Sequence, residues 1–253
     1  MKILTGIHEE GENVVYITGD THGDQLMWDK CITPFLKSGD KIIVTGDFGV
    51  GFFDGRQWPE EMFYDYLADK DYTVLFCDGN HENFDKLYSY EIKSFCGGKA
   101  HLIRDNVIHL MRGEVYEIDG KKIFVMGGGY SLDKYLRKEG FSWWPQEMPD
   151  RSEYDNALDN LKACGSQVDH VITHTAPLKT LEYLYHTGKI SSKNTVEDRE
   201  LTSFLQYVAE DVRYKNWYFG HIHIDEELWK DQYAVYELIR ELDTGKVIKN
   251  RRA

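Results

Sequence analysis

Val14-Val15-Tyr16-Ile17-Thr18-Gly19-Asp20-Thr21-His22 sets the pattern of this chain: a short β-branched run that halts at a glycine and polar side chains. The pattern recurs along the sequence. Residues 41–45 run into Gly46-Asp47, and residues 72–77 run into Asp78-Gly79-Asn80-His81-Glu82. Residues 168–173 lead to His174-Thr175, and residues 216–219 lead to Gly220-His221-Ile222-His223. Such runs read as strands buried on both faces of a parallel sheet, with polar loops at their carboxyl ends, where α/β proteins build their sites.

Residues 26–36, 60–68, 179–187 and 197–211 supply predicted helices, with Pro59 placed as a first-turn proline. Residues 107–110, 115–118 and 121–126 read as meander strands, with Asp119-Gly120 as a tight turn. Residues 233–239 and 246–248 add β-type segments near the C-terminus. That is too many strands for one five-stranded sheet, so the predicted fold is α/β, with two stacked mixed sheets flanked by helices. With no repeat, low-complexity tract or linker, residues 1–253 read as one domain. Residues 127–151 open with three glycines and contain Trp143 and Trp144; they read as an insertion on the substrate side. The tryptophans either cap a hydrophobic edge or line a cleft. The aromatic loop 48–58, directly after Asp47, is a second candidate wall.

Composition narrows the class. Hydrophobic content of 42% and charged content of 29% suit a soluble globular protein. No stretch approaches the roughly 18 apolar residues of a membrane span, and the first segment reaches its glutamates too early for a signal peptide. Cys31, Cys77, Cys96 and Cys164 form no CxxC pair and read as reduced thiols of a cytoplasmic protein, with Cys77 a small core residue. A formal charge of -13 disfavours nucleic acid as a partner, because backbone affinity depends on Lys and Arg.

The loops after these strands gather Asp20, Asp47, Asn80 and the histidines His22, His81, His174, His221 and His223. Taken singly, each has an ordinary structural explanation: Asp47 as a turn cap, His174 as a buried hydrogen-bonding group. Together, oxygen and imidazole donors in this number suit two adjacent metal ions, and a metal pair suits cleavage of a phosphate ester.

The series Asp20-Thr21-His22, Gly46-Asp47, Gly79-Asn80-His81-Glu82, His174 and Gly220-His221-Ile222-His223 resembles the calcineurin-like metallophosphoesterase superfamily, whose motifs DxH, GD, GNH[D/E], H and GHxH occur in this order. The resemblance spans residues 20–223 and implies a four-layer fold. It implies that Asp20, His22 and His223 hold one metal, that Asp47 bridges, and that Asn80, His174 and His221 complete the second. His81 is implied to face the substrate and donate a hydrogen bond or proton. Gly19, Gly46, Gly79 and Gly220 let the backbone turn closely around the ions. The implied cofactors are two divalent or trivalent ions, Mn first, with Fe or Zn as alternatives. Such a pair acidifies a shared water, which attacks phosphorus in line with the leaving alkoxide, without a protein nucleophile.

One departure stands out. Many relatives carry an aspartate three residues after the bridging one, paired with the catalytic histidine; here that position is Val50. His81 then needs another orienting group, and Asp54, Glu82 or a backbone carbonyl are the candidates. Arg56, Lys134, Arg137 and Arg151 are candidate substrate contacts, since phosphate favours basic partners. His8, His101, His109, His170 and His186 match no motif and are left off the metal set. The leading expectation is hydrolysis of a small phosphorylated molecule, monoester or diester. A serine/threonine protein phosphatase, a nuclease and a non-catalytic metal-binding scaffold remain as alternatives. The protein phosphatases share Gly79-Asn80-His81-Glu82 but carry a GDxVDRG run that this chain lacks.

Overall fold

A computed structural model describes residues 13–52, 60–191 and 199–251; Asp54, Arg56, Trp58 and Pro59 lie outside the described residues. The first half runs β1 (Val15–Thr18), α1 (Gln25–Met27), β2 (Lys41–Val44), α2 (Glu60–Ala68), β3 (Thr73–Phe76), α3 (Phe84–Leu87), β4 (Ile92–Phe95), β5 (Gly98–Arg104) and β6 (Val107–Leu110). The second half runs β7 (Val115–Ile118), β8 (Lys121–Met126), α4 (Arg151–Ala163), β9 (His170–Thr173), α5 (Leu178–His186), α6 (Arg199–Asp211) and β10 (Asn216–Phe219). It closes with β11 (Glu226–Leu228), β12 (Gln232–Ala234), β13 (Leu238–Glu241) and β14 (Val247–Asn250).

The strands form two mixed sheets, in the orders β14-β13-β1-β2-β3-β6-β5-β4 and β11-β12-β10-β9-β8-β7. In the first, β1, β2, β3 and β6 are parallel; in the second, β8, β9, β10 and β12 are. The continuous apolar runs follow from burial on both faces. Ile42 and Val44 of β2, and Val74 and Phe76 of β3, pack towards the helices beside Trp28, Phe63 and Leu67. Their alternates Ile43 and Leu75 face the opposing sheet, meeting Ile123, Val125, Ile172 and Tyr218. Cys77 lies fully buried in this inter-sheet layer. On the far side, Leu201, Leu205 and Val208 of α6 share one helical stripe against Val171, Trp217 and Phe219. The result is α/β with two mixed sheets between helical layers, as the sequence predicts.

Several elements differ from expectation. The predicted helix 26–36 is a short α1 that continues as a π-helical turn, Trp28–Ile32, which buries Trp28 and Ile32. Residues 233–239 are not one strand: β12 joins one sheet and β13 the other. Asp225 fixes that crossing by accepting from the N–H groups of Tyr236, Glu237 and Leu238 at 2.9, 2.9 and 3.2 Å. The helix α4 was not expected. Its start is a capping box, in which Asp150 accepts from Glu153 N and Glu153 answers the Asp150 N–H. Trp144 is buried and donates to Asp85 at 2.9 Å, so it serves as an edge cap.

Candidate metal centre

Both parallel sets deliver their carboxyl ends to one edge of the molecule, and the polar loops meet there. Four of the converging residues, His22, Asp47, His221 and His223, have positive φ of 48°, 51°, 66° and 52°. Side chains other than glycine rarely adopt that backbone, and it persists where the surroundings demand it. Gly79 shows the closeness required: a Cβ there would overlap the Asp47 carboxylate and backbone N.

One group of donors surrounds His174. Its Nδ1 lies 2.8 Å from the Thr45 carbonyl, which only accepts, so the proton sits on Nδ1 and Nε2 presents a lone pair. Facing that lone pair are Asn80 Oδ1 at 3.1 Å, His221 Nδ1 at 3.2 Å and Asp47 Oδ1 at 3.3 Å. Asn80 Oδ1 and Asp47 Oδ1 are acceptors too, so these atoms repel unless a cation stands among them. Metal–ligand bonds of about 2.0–2.2 Å put neighbouring donors roughly 3 Å apart, which the set matches.

The second group comprises Asp20, His22, Asp47 and His223, whose donor atoms all lie within 4.8 Å of one another. His223 Nε2 is 3.0 Å from Asp20 Oδ2 and 3.1 Å from His22 Nε2. Asp47 belongs to both groups, with its Oδ2 3.8 Å from His22 Nδ1. Burial would raise the Asp47 pKa, but His81 and His174 beside it hold the carboxyl well below the usual range. Asp20 behaves likewise: burial is outweighed, chiefly by its hydrogen bond with His223. His223 is raised by the same bond, and His22 is lowered by burial. Asp20 and Asp47 are thus held as carboxylates and His22 as a neutral imidazole, the forms that bind metal, whereas His223 has to give up a proton to ligate.

His81 stands at the edge of both groups. Its Nδ1 is 2.8 Å from Asp47 Oδ2, and its backbone N donates to Asp47 Oδ1 at 2.8 Å. Arg137 Nη2 donates to His81 Nε2 at 2.7 Å and to Asp133 at 2.8 Å. Glu82 does not orient His81; buried and raised well above its usual pKa by that burial, it receives the N–H groups of Gly49 and Val50 at 2.9 and 2.5 Å. Phe52 is the wall residue of the aromatic loop, with its ring 4.9 Å from His81 and 5.2 Å from the Arg137 guanidinium carbon. Phe48 is buried against Phe76 at 4.4 Å instead.

The remaining basic candidates fall differently. Lys134 lies over the Tyr130 ring at 4.3 Å and faces Trp143 at 5.5 Å. Arg151 opens α4, is 86% exposed and pairs with Asp155 at 3.0 Å, so the structure gives it a surface partner rather than a site contact. Arg56 lies outside the described residues.

Sequence reasoning missed the supporting residues. Asp78, one step before Gly79, holds Arg112 at 2.5 and 2.8 Å and His109 at 3.0 Å. Arg251 donates to the carbonyls of Gly19 and Asp20 at 2.7 and 2.5 Å, behind the Asp20 loop. Tyr236 stacks on His223 at 4.5 Å. Asp78 was visible beside its motif, but no local spacing announces partners so far along the chain.

A fold of this kind, with carboxylates and imidazoles gathered at the strand ends, defines a metal-dependent phosphoesterase. Residues 14–225 match the calcineurin-like phosphoesterase family, and the chain belongs to it. A search of curated proteins found no match. Among the described residues, no helix is long and apolar enough to cross a membrane.

Proposed function

We propose that this protein hydrolyses a phosphate monoester or diester of a small molecule, with two metal ions sharing Asp47. The observation that carries the reading is the packing of Asn80 Oδ1, His221 Nδ1 and Asp47 Oδ1 around the lone pair of His174 Nε2. Asp20, His22 and His223 would hold the first ion, and Asn80, His174 and His221 the second. When bound, such a pair supplies an acidified water and neutralises phosphoryl charge; Mn is the first expectation.

The chain's own residues supply the rest. Thr45 keeps His174 in the ligating tautomer. Asp47 orients His81 through two hydrogen bonds. Arg137 only donates, so His81 Nε2 carries a lone pair in this state. A phosphoryl oxygen seated between them takes the Arg137 N–H and frees Nε2, which would take a proton from solvent and pass that proton to the departing alkoxide. Phe52 limits water on that side.

A net charge of -13 favours a small phosphorylated substrate over a nucleic acid. Four free cysteines support a reducing, cytoplasmic setting. The inter-sheet core, drawn from both halves, supports reading residues 1–253 as one domain, and the Arg137 contact with His81 supports 127–151 on the substrate side. The test is hydrolysis of paired chromogenic monoesters and diesters by metal-stripped protein reloaded with Mn²⁺, beside Asp47→Asn. Turnover that needs metal and disappears in the variant is expected, and the preferred ester narrows the substrate. No turnover of either ester by the reloaded wild type contradicts the reading.

A further inference from the structure

We infer that Glu147 and Ser131 decide which atom of Asn80 faces the second metal. The inference rests on the reading of Asn80 as a ligand. An asparagine amide can ligate only through its oxygen, yet its two ends are nearly the same shape, so something must choose between them. In this chain the choice is made by a directed line of hydrogen bonds.

Glu147 is 1% exposed, and as a carboxylate it accepts hydrogen bonds only. Its Oε1 takes the Ser131 N–H at 2.9 Å, and its Oε2 lies 2.6 Å from Ser131 Oγ. The serine hydroxyl must spend its single proton on that carboxylate, so its lone pairs point the other way. The group they meet is Asn80 Nδ2, at 3.1 Å. An amide oxygen there would oppose those lone pairs, so Asn80 turns its NH₂ to Ser131. Its Oδ1 is thereby aimed at His174 Nε2, 3.1 Å away. One buried carboxyl group, accepting from Ser131 at both of its oxygens, fixes the whole sequence of donors and acceptors.

The backbone that makes this reach is also particular to the segment. Gly128 N donates to the Asp78 carbonyl and Gly129 N to the Glu147 carbonyl, each at 3.0 Å. A Cβ on Gly129 would press on the His174 ring at 2.9 Å and on His221 at 3.3 Å. Gly129 thus lets the chain pass close against His174, while Gly127 and Gly128 pack on Asp78, Glu147 and Pro149, and the turn brings Ser131 to Asn80. Residues 127–151 therefore brace the second metal as well as carrying Arg137 to His81.

The test is calorimetric titration of metal-stripped protein with Mn²⁺, comparing wild type, Ser131→Ala, Ser131→Thr and Glu147→Gln, with melting of each metal-free protein alongside. The expected result is two sites in wild type. One of them weakens about 10- to 100-fold in Ser131→Ala and Glu147→Gln, while the other is unchanged. Ser131→Thr keeps the hydroxyl and restores the lost affinity. Should Glu147→Gln fail to fold, the Ser131→Ala and Ser131→Thr pair decides alone. Two wild-type sites with unchanged affinities in Ser131→Ala overturn this inference and leave the dinuclear reading standing. Equal weakening of both sites overturns it too, since a general loosening then explains the effect. A wild type that binds fewer than two Mn²⁺ overturns both.

Discussion

Around Asn80, His174 and His221, two of the three donors are sunk and held: His174 has no exposed surface and Asn80 is 5% exposed, their orientations fixed by the Thr45 carbonyl and the Ser131 hydroxyl, while His221 is half-buried. Around Asp20, His22 and His223, the aspartate is buried with Arg251 holding its backbone carbonyl, but the imidazoles are 23% and 44% exposed and Tyr236 stacks on His223 alone. The two halves share Asp47 yet differ in access. On the proposed dinuclear reading, the more buried, pre-oriented set would hold its ion more firmly, because little freedom is lost on binding. The more open set would be the side on which solvent exchanges. The open half also adjoins His81, whose ring lies 5.3 Å from His22, so on the proposed reading exchange and proton handling would fall on the same side.

The comparison breaks most completely at the residue the halves share. Asp47→Asn is expected to lower kcat on the order of 10⁴-fold or more and to disturb both metals, measured as turnover with metal content. His81→Asn is expected to cost about 10²- to 10⁴-fold in kcat with metal content unchanged. Loss of metal in that variant would move His81 from proton handling to ligation.

Truncation separates the halves themselves. Without metal, His174→Ala leaves the buried Thr45 carbonyl without its partner and is expected to cost about 1–3 kcal/mol in denaturant unfolding. His223→Ala, at an exposed ring, is expected to cost less. Equal losses would erase the distinction between the two halves. Chelation adds a kinetic version: a limiting chelator should remove one ion first, and His223→Ala should speed that phase alone.

A smaller effect tests what lies behind the buried half. Asp78 backs the Asn80 loop and holds His109, whose Nδ1 is 2.9 Å from His101 Nδ1. Burial, then the neighbouring His109, pushes the His101 pKa down to about 3. The unfolded chain, with His101 near its ordinary value of about 6.5, binds the proton more readily. Stability therefore falls as pH drops from about 6.5 towards about 3, and is fully present above that window. His101→Asn should flatten this slope in unfolding measured across that range. The smallest expected effect is at Arg151, where substitution by alanine should change stability by no more than about 0.5 kcal/mol and leave kcat/KM unaltered.

Legibility in the sequence follows the range of the interactions. The parallel strands were readable because residues such as Ile42-Ile43-Val44 are apolar on both faces, a property of consecutive positions. The convergence of the candidate ligands was readable because Asp20, Asp47, Asn80, His174 and His221 each follow a strand within a few residues. The brace of Asn80 was not readable: Ser131 is 51 positions away, and only the topology makes them neighbours. The same holds for Arg251, 231 positions from Asp20. Asp150 and Glu153 did announce α4 locally, but its remaining face is polar enough to hide among the acidic residues of this chain. The split of residues 233–239 between sheets depended on Asp225, whose reach to Tyr236 no strand pattern encodes.

The most direct measurement is anomalous scattering from crystals of the Mn-loaded protein. The account predicts two peaks about 3.5–4 Å apart, one among Asp20, His22 and His223, the other among Asn80, His174 and His221, with Asp47 between them. A single peak, or a second peak away from Asn80 and His174, would contradict it.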